Sequence, residues 1–166
     1  MSVNEAPRSG SVKLVILTFR VVLGVLFLTV WGSNLHKGLY SSDHYENLIR
    51  FYVSSGDAPE IWKHLMRAVA DAAPVLSKAQ LVTELSFGIA LVLGIATRIV
   101  GVSAGLFLTS LWISEIGVPG EWIWSLVFPS LVAFAVALVS AGRVLGLDAL
   151  LLGRPPLDRL PRWLTG

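Results

Sequence analysis

Four apolar stretches constrain this chain more than anything else in it: Leu14–Trp31, Leu76–Leu93, Ile99–Ile113 and Trp122–Ala141. A helix needs roughly 20 mostly apolar residues to cross a hydrocarbon core about 30 Å thick. Within that core each backbone N–H and C=O must be satisfied by the protein itself, which leaves only helices or closed barrels. The runs are continuous rather than alternating, so helices are expected. The second and third are short, and their uncharged flanks lengthen them. Only 14% of residues are charged and 54% are hydrophobic, whereas an average soluble domain is about 25% charged. The expected fold is all-α: an integral membrane four-helix bundle with spans at 12–34, 76–95, 97–116 and 122–141, together one domain over 12–151. A flexible tail is expected over 1–11 and a cytoplasmic tail over 152–166.

Arg20 interrupts the first run, which is also too long for the apolar region of a signal peptide and lacks an adjacent small-x-small site, so it reads as a retained span. Basic residues near membrane ends favour the cytoplasmic side. Placing both termini inside puts Arg8, Lys13, Arg20, Arg98, Arg143, Arg154, Arg159 and Arg162 there. The outer loop, about Leu35–Ser77, balances its own basic residues with Asp43, Glu46, Asp57, Glu60 and Asp71. Trp31, Trp62, Trp112, Trp122 and Trp124 then fall near the outer interface, where indoles partition. The loop itself carries short amphipathic helices. After Pro59, the residues Ile61, Leu65, Ala68 and Val69 share one face, and Tyr45, Leu48, Ile49, Phe51 and Tyr52 suggest a second helix before it. Together they cap the mouth of the bundle. In the third run Gly101 and Gly105 form a small-xxx-small pair, expected to let two helices of the same chain approach closely.

Ionisable groups inside spans are costly and therefore mark candidate sites. Glu84 is the deepest acid, and Asn34, His36 and Lys37 end the first span at about its level. A Glu84–Lys37 pair has two readings: an outer polar pocket for a quinone headgroup or another oxygen-rich molecule, or an ion pair fixing the first helix against the second. Trp31, Trp112 and Glu115 are further candidates for the same mouth, although Glu115 alone reads more readily as an exposed interfacial carboxylate. At the inner end Arg20, Arg98, Arg143 and Asp148 form a second polar set, with Asp148 expected to pair with Arg20 or Arg143. This set reads as a structural clasp more readily than as an anion site.

Cysteine is absent, which removes disulfides, thiol redox chemistry and cysteine-ligated clusters from the chain's own repertoire. His36, His44 and His64 show no metal-ligand spacing, so no metal or haem is expected. The basic residues do not cluster as a nucleic-acid footprint requires.

The order of the motifs resembles the DoxX/DoxD superfamily of small membrane proteins. The pieces are Arg20-Val21-Val22-Leu23-Gly24, Trp31-Gly32-Ser33-Asn34-Leu35-His36-Lys37, Glu84-Leu85-Ser86-Phe87-Gly88, Leu93-Gly94-Ile95-Ala96-Thr97-Arg98 and Ala141-Gly142-Arg143-Val144-Leu145-Gly146-Leu147-Asp148. They extend from about Thr18 to Leu151, and the last looks particularly like the DoxD branch. That resemblance implies a membrane subunit of a thiosulfate:quinone-type oxidoreductase in a bacterial or archaeal plasma membrane, with membrane lipids and other subunits as partners. In that role Glu84 would accept a proton, Lys37 or His36 would polarise a quinone carbonyl, and Trp31 or Trp112 would pack the ring, with Asn34 and Glu115 lining the pocket. Lacking cysteine, the chain would leave sulfur binding to a partner or need direct two-electron chemistry at a quinone site. The rival expectation is a non-catalytic accessory subunit of a larger energy-converting membrane complex.

Overall fold

Twenty-eight consecutive residues free of proline and acidic side chains form the first helix, α1 (Ser9–His36). The computed structural model describes residues 9–151, and the described residues are helical, without strands. After α1 come α2 (Ser42–Ser55), α3 (Glu60–Asp71), α4 (Ala73–Leu93), α5 (Thr97–Glu115) and α6 (Trp124–Leu138). A 3-10 turn (Ala141–Arg143) and the short α7 (Leu147–Leu151) complete the order. Residues 9–11, expected in a flexible tail, belong to α1. The rest of that tail and the whole of 152–166 lie outside the described residues.

Three helices, α1 from Gly10, α4 and α5, are long and apolar enough to cross a membrane. Their outward faces are apolar too, as at Leu14, Phe19, Val22, Val82 and Leu106, each more than half exposed. Helices apolar all round are compatible with a hydrocarbon surrounding. The fourth run departs from expectation. Its helix α6 holds 15 residues, or about 22 Å at 1.5 Å per residue. The turn at Pro119-Gly120 delays its start, and Ser140, held at φ 50°, reverses the chain soon after Leu138.

The helices pack in two close pairs, α1 with α4 and α5 with α6, with α1 also meeting α6. The core between them is Leu23, Phe27, Leu91, Ala104, Leu108, Ala133, Val136 and Ala141. The Phe27, Phe87 and Phe107 rings interlock at one level, with centroids 5.4 to 6.3 Å apart. Gly101 and Gly105 face α6, as the small-residue spacing predicts. A Cβ on Gly101 would lie 2.8 Å from the Ala133 carbonyl oxygen and 2.9 Å from Ala137 Cβ. Gly101→Val is therefore expected to destabilise the protein by roughly 1–3 kcal/mol through overpacking. Val102→Leu on the outer face should stay within about 0.5 kcal/mol of the native protein. Thermal unfolding of both variants in the same detergent checks this, and equal melting temperatures would refute the close packing.

At the end formed by Gly94, Thr97 and the 3-10 turn, the inner end in the topology expected above, the second polar set is organised differently from the expected ion pairs. Asp148 makes no ion pair among the described residues. Its carboxylate caps the start of α5 instead, accepting from Ala96 N–H at 2.7 Å, Thr97 N–H at 3.0 Å and Thr97 Oγ1 at 2.7 Å. First-turn N–H groups have no partner within their helix and attract negative charge, so a carboxylate satisfies them best. Thr97 Oγ1 in turn accepts from Gly142 N–H, and Asp148 N–H returns to the Gly94 carbonyl. Arg20 is buried, donating to the carbonyls of Leu145 and, at a long 3.5 Å, Ala141. A Cβ on Gly94 or Gly146 would overlap the Arg20 guanidinium. Those glycines are the space the arginine occupies. Arg98 and Arg143 are exposed.

Candidate functional site

At the opposite end α2 and α3 lie across α4 and α5. Trp62 Nε1 donates to Ser114 Oγ at 2.9 Å, tying α3 to α5, and the Arg50–Asp71 ion pair of 2.7 Å ties α2 to α3. The inward face of α3 shares only Val69 with the expected stripe. Trp62, Met66, Val69 and Ala70 turn inward, while Ile61 is 83% exposed and Leu65 half exposed.

Beneath this cover sits Glu84, only 2% exposed. Its Oε2 accepts from Tyr40 Oη at 2.6 Å and from Asn34 Nδ2 at 3.4 Å, and its Oε1 accepts from Gln80 Nε2 at 2.7 Å. Gln80 and Glu84 are one helical turn apart on α4, which puts both on one face. Gln80 Oε1 accepts in turn from Tyr45 Oη at 3.0 Å, extending the network to α2. A buried charge without hydrogen bonds is very costly. Here three neutral donors satisfy the carboxylate, and no ion pair reaches it among the described residues.

Tyr40 reaches Glu84 because of how α1 ends. Gly38, at φ 70°, takes the left-handed position that closes a helix. Gly38 N–H bonds the Leu35 carbonyl and Leu39 N–H bonds the Asn34 carbonyl, the paired bonds of a Schellman motif. The chain then turns back over the helix end and buries Tyr40. Lys78 Nζ holds the Tyr40 carbonyl at 2.8 Å. Burial, then the hydrogen bond to Glu84, pushes the Tyr40 hydroxyl far above the ordinary phenol range, so it remains a donor. Burial and then the Glu84 charge also raise Tyr45.

Next to this network is a cavity of about 360 Å³. Asn34, Tyr40, Tyr45 and Gln80 form its polar wall, Tyr52, Trp62 and Met66 come from the cover, and Phe107, Ser110 and Ser114 come from α5. Glu84 does not itself line the cavity. It holds the side chains that do.

The structure thus brings together Glu84 and Asn34 from the expected set and sets the others apart. Lys37 and His36 are exposed at the end of α1, just before the left-handed Gly38, and the expected Glu84–Lys37 pair does not form among the described residues. Trp31, Trp112 and Glu115 are half-buried but do not line the cavity. Trp31 Nε1, Trp112 Nε1 and Glu115 Oε2 are enclosed without a hydrogen-bond partner among the described residues. Sequence reasoning missed Tyr40, Tyr45 and Gln80 as members of the network. The four-residue spacing of Gln80 and Glu84 was the one available signal. Among the described residues no three His, Asp or Glu side chains converge as a metal set would. Comparison of the chain with protein-family models, with curated proteins and with solved structures finds no match.

Proposed function

We propose that the chain is a DoxX/DoxD-type integral membrane protein. In this reading α1, α4, α5 and α6 form a four-helix bundle, α2 and α3 cap its outer mouth, and the capped cavity takes the headgroup ring of a quinone. The observation that carries the reading is the oriented polar wall beside aromatic surface. Its volume of about 360 Å³ falls within the range of small-molecule sites, about 300–1,000 Å³. A quinone offers a flat ring and two carbonyl acceptors. Gln80 and Asn34 each commit one amide N–H to Glu84, leaving the second N–H of each for such acceptors. Tyr45, Tyr52 and Trp62 provide ring surface. The roles expected for Lys37 and His36 therefore pass to the two amides, and Glu84 becomes a positioning residue that fixes them. In an oxidoreductase assembly, electrons would come from a partner subunit, and a bound quinone would supply the redox chemistry.

The test is titration of the full chain in nanodiscs with decyl-ubiquinone, read by quenching of tryptophan fluorescence. Saturable quenching is expected, with affinity about tenfold weaker in Gln80→Leu and in Asn34→Leu, the loss of one hydrogen bond each. Affinity unchanged in both variants would refute the site. The accessory-subunit reading draws on Ile61 and Leu65, whose exposed apolar side chains form a face on α3 suited to a neighbouring subunit.

A further inference from the structure

The inner end carries a second concavity that the quinone reading does not use. It is a groove of about 600 Å³, with Lys13 and Arg143 as its charged lining residues and Val92, Leu93, Leu145 and Leu150 among its apolar ones. Among the described residues no acidic side chain lines it, and neither Lys13 nor Arg143 is ion-paired. A third cation lies just behind it. Gly146 is part of the groove wall, and the Arg20 guanidinium rests directly against that glycine. Among the described residues the buried acid nearby, Asp148, commits both oxygens to the N-terminus of α5.

The backbone adds an independent observation. Leu145 is held at φ 51°, a left-handed conformation that disfavours a side chain and persists only where surrounding contacts enforce it. The Leu145 carbonyl is fixed by Arg20 Nη2 at 3.3 Å, while its side chain is left 79% exposed. The outcome is an apolar side chain projected beside two cations that make no ion pair among the described residues.

We infer that this groove binds an anionic phospholipid. Lys13 and Arg143 meet the phosphate-bearing headgroup, Arg20 fixes the Gly146–Leu145 wall from beneath through the Leu145 carbonyl, and an acyl chain runs along Leu93, Leu145 and Leu150. The occupant is a lipid rather than a free anion because the cations and the exposed apolar side chains lie in one continuous groove. This inference rests on the membrane reading of the helices but not on the quinone site.

Native mass spectrometry of the full chain, released from detergent with matched acyl chains of phosphatidylglycerol or phosphatidylcholine, tests it. Each basic side chain near an anionic lipid is worth about a fivefold preference, so the pair predicts about a 25-fold preference for phosphatidylglycerol. Lys13→Gln and Arg143→Gln should each reduce that preference about fivefold, and the double variant should abolish it. Leu145→Asn should weaken retention of both lipids without changing their ratio. Equal retention of the two lipids, or a preference that survives the double variant, overturns the inference. So does thermal protection by inorganic phosphate equal to that by phosphatidylglycerol, which would mark a free-anion site. Failure of the full chain to retain any phosphatidylglycerol, as when residues 152–166 or a protein partner fill the groove, also overturns it. Decyl-ubiquinone titration of the double variant separates the two sites, since its quinone affinity should be unchanged.

Discussion

Asp148→Ala is expected to destabilise the protein by about 2–4 kcal/mol, although the residue makes no ion pair. Its two oxygens accept three hydrogen bonds from Ala96 and Thr97. Removing the carboxylate leaves the N–H groups of Ala96 and Thr97, at the start of α5, and a buried hydroxyl without partners. Unpaired buried donors cost about 1–3 kcal/mol each, and partial relaxation keeps the sum below three full penalties. The loss spreads, because Thr97 Oγ1 also receives Gly142 N–H and thereby holds the 3-10 turn against α5. Asp148→Asn keeps one acceptor oxygen but aims an NH₂ group at N–H donors, so about half of the loss is expected. Asp43→Ala, at an exposed position in the first turn of α2, should change stability by under about 0.5 kcal/mol. Equilibrium unfolding in mixed micelles, followed by helical circular dichroism, measures all three. A loss below about 1 kcal/mol in Asp148→Ala would show that water replaces the carboxylate at the α5 start.

The same residue shows where sequence reading stops. Asp148 was legible as a polar member of the inner end, but its partners stand more than 50 positions earlier. Charge complementarity suggested Arg20 or Arg143. Geometry chose a helix terminus, because an N-terminal turn offers several aligned N–H groups where an arginine would offer one further cation. The long apolar helices α1, α4 and α5 were readable because a hydrocarbon surrounding demands continuous runs. The stop of α6 was not, since Ser140 takes a left-handed conformation with no glycine to announce it. On α3, Val69 can complete either of two adjacent apolar stripes, one through Ile61, Leu65 and Ala68, the other through Trp62 and Met66. They differ by one residue, about 100° around the helix. Only the tertiary hydrogen bond from Trp62 to Ser114 selects the second. Gly101 and Gly105 were readable for the opposite reason: their meaning is steric and local to one face.

Glu84 was found from the sequence because an acid deep in an apolar run has few explanations. Its partners were not, because a Schellman turn carries Lys37 outward and Tyr40 inward. That exchange sets the second large effect. Glu84→Leu removes the acceptor of three donors, those of Tyr40, Gln80 and Asn34. It should cost about 2–5 kcal/mol and collapse the polar wall of the cavity. Glu84→Gln separates structure from function. Its volume is close to that of glutamate, but it has one acceptor oxygen, and its NH₂ either confronts Gln80 Nε2, which cannot accept, or donates to Tyr40 Oη and leaves Gln80 a weaker, neutral acceptor. Stability should fall by only about 1–2 kcal/mol, leaving a folded protein to titrate. The Gln80 amide, no longer pinned by a carboxylate, loses the orientation that presents its second N–H. Quinone affinity should therefore fall about tenfold, the equivalent of one well-placed hydrogen bond. Tyr40→Phe provides the control for position, because it removes a donor to Glu84 while leaving the Gln80 contact intact. Its stability loss of about 1–3 kcal/mol should come with an affinity change under about threefold. If Glu84→Gln binds decyl-ubiquinone within twofold of the native chain, the carboxylate does not position the amides for a ligand. Its buried network would then be a clasp between α1, α2 and α4, and the accessory-subunit reading would be the stronger one.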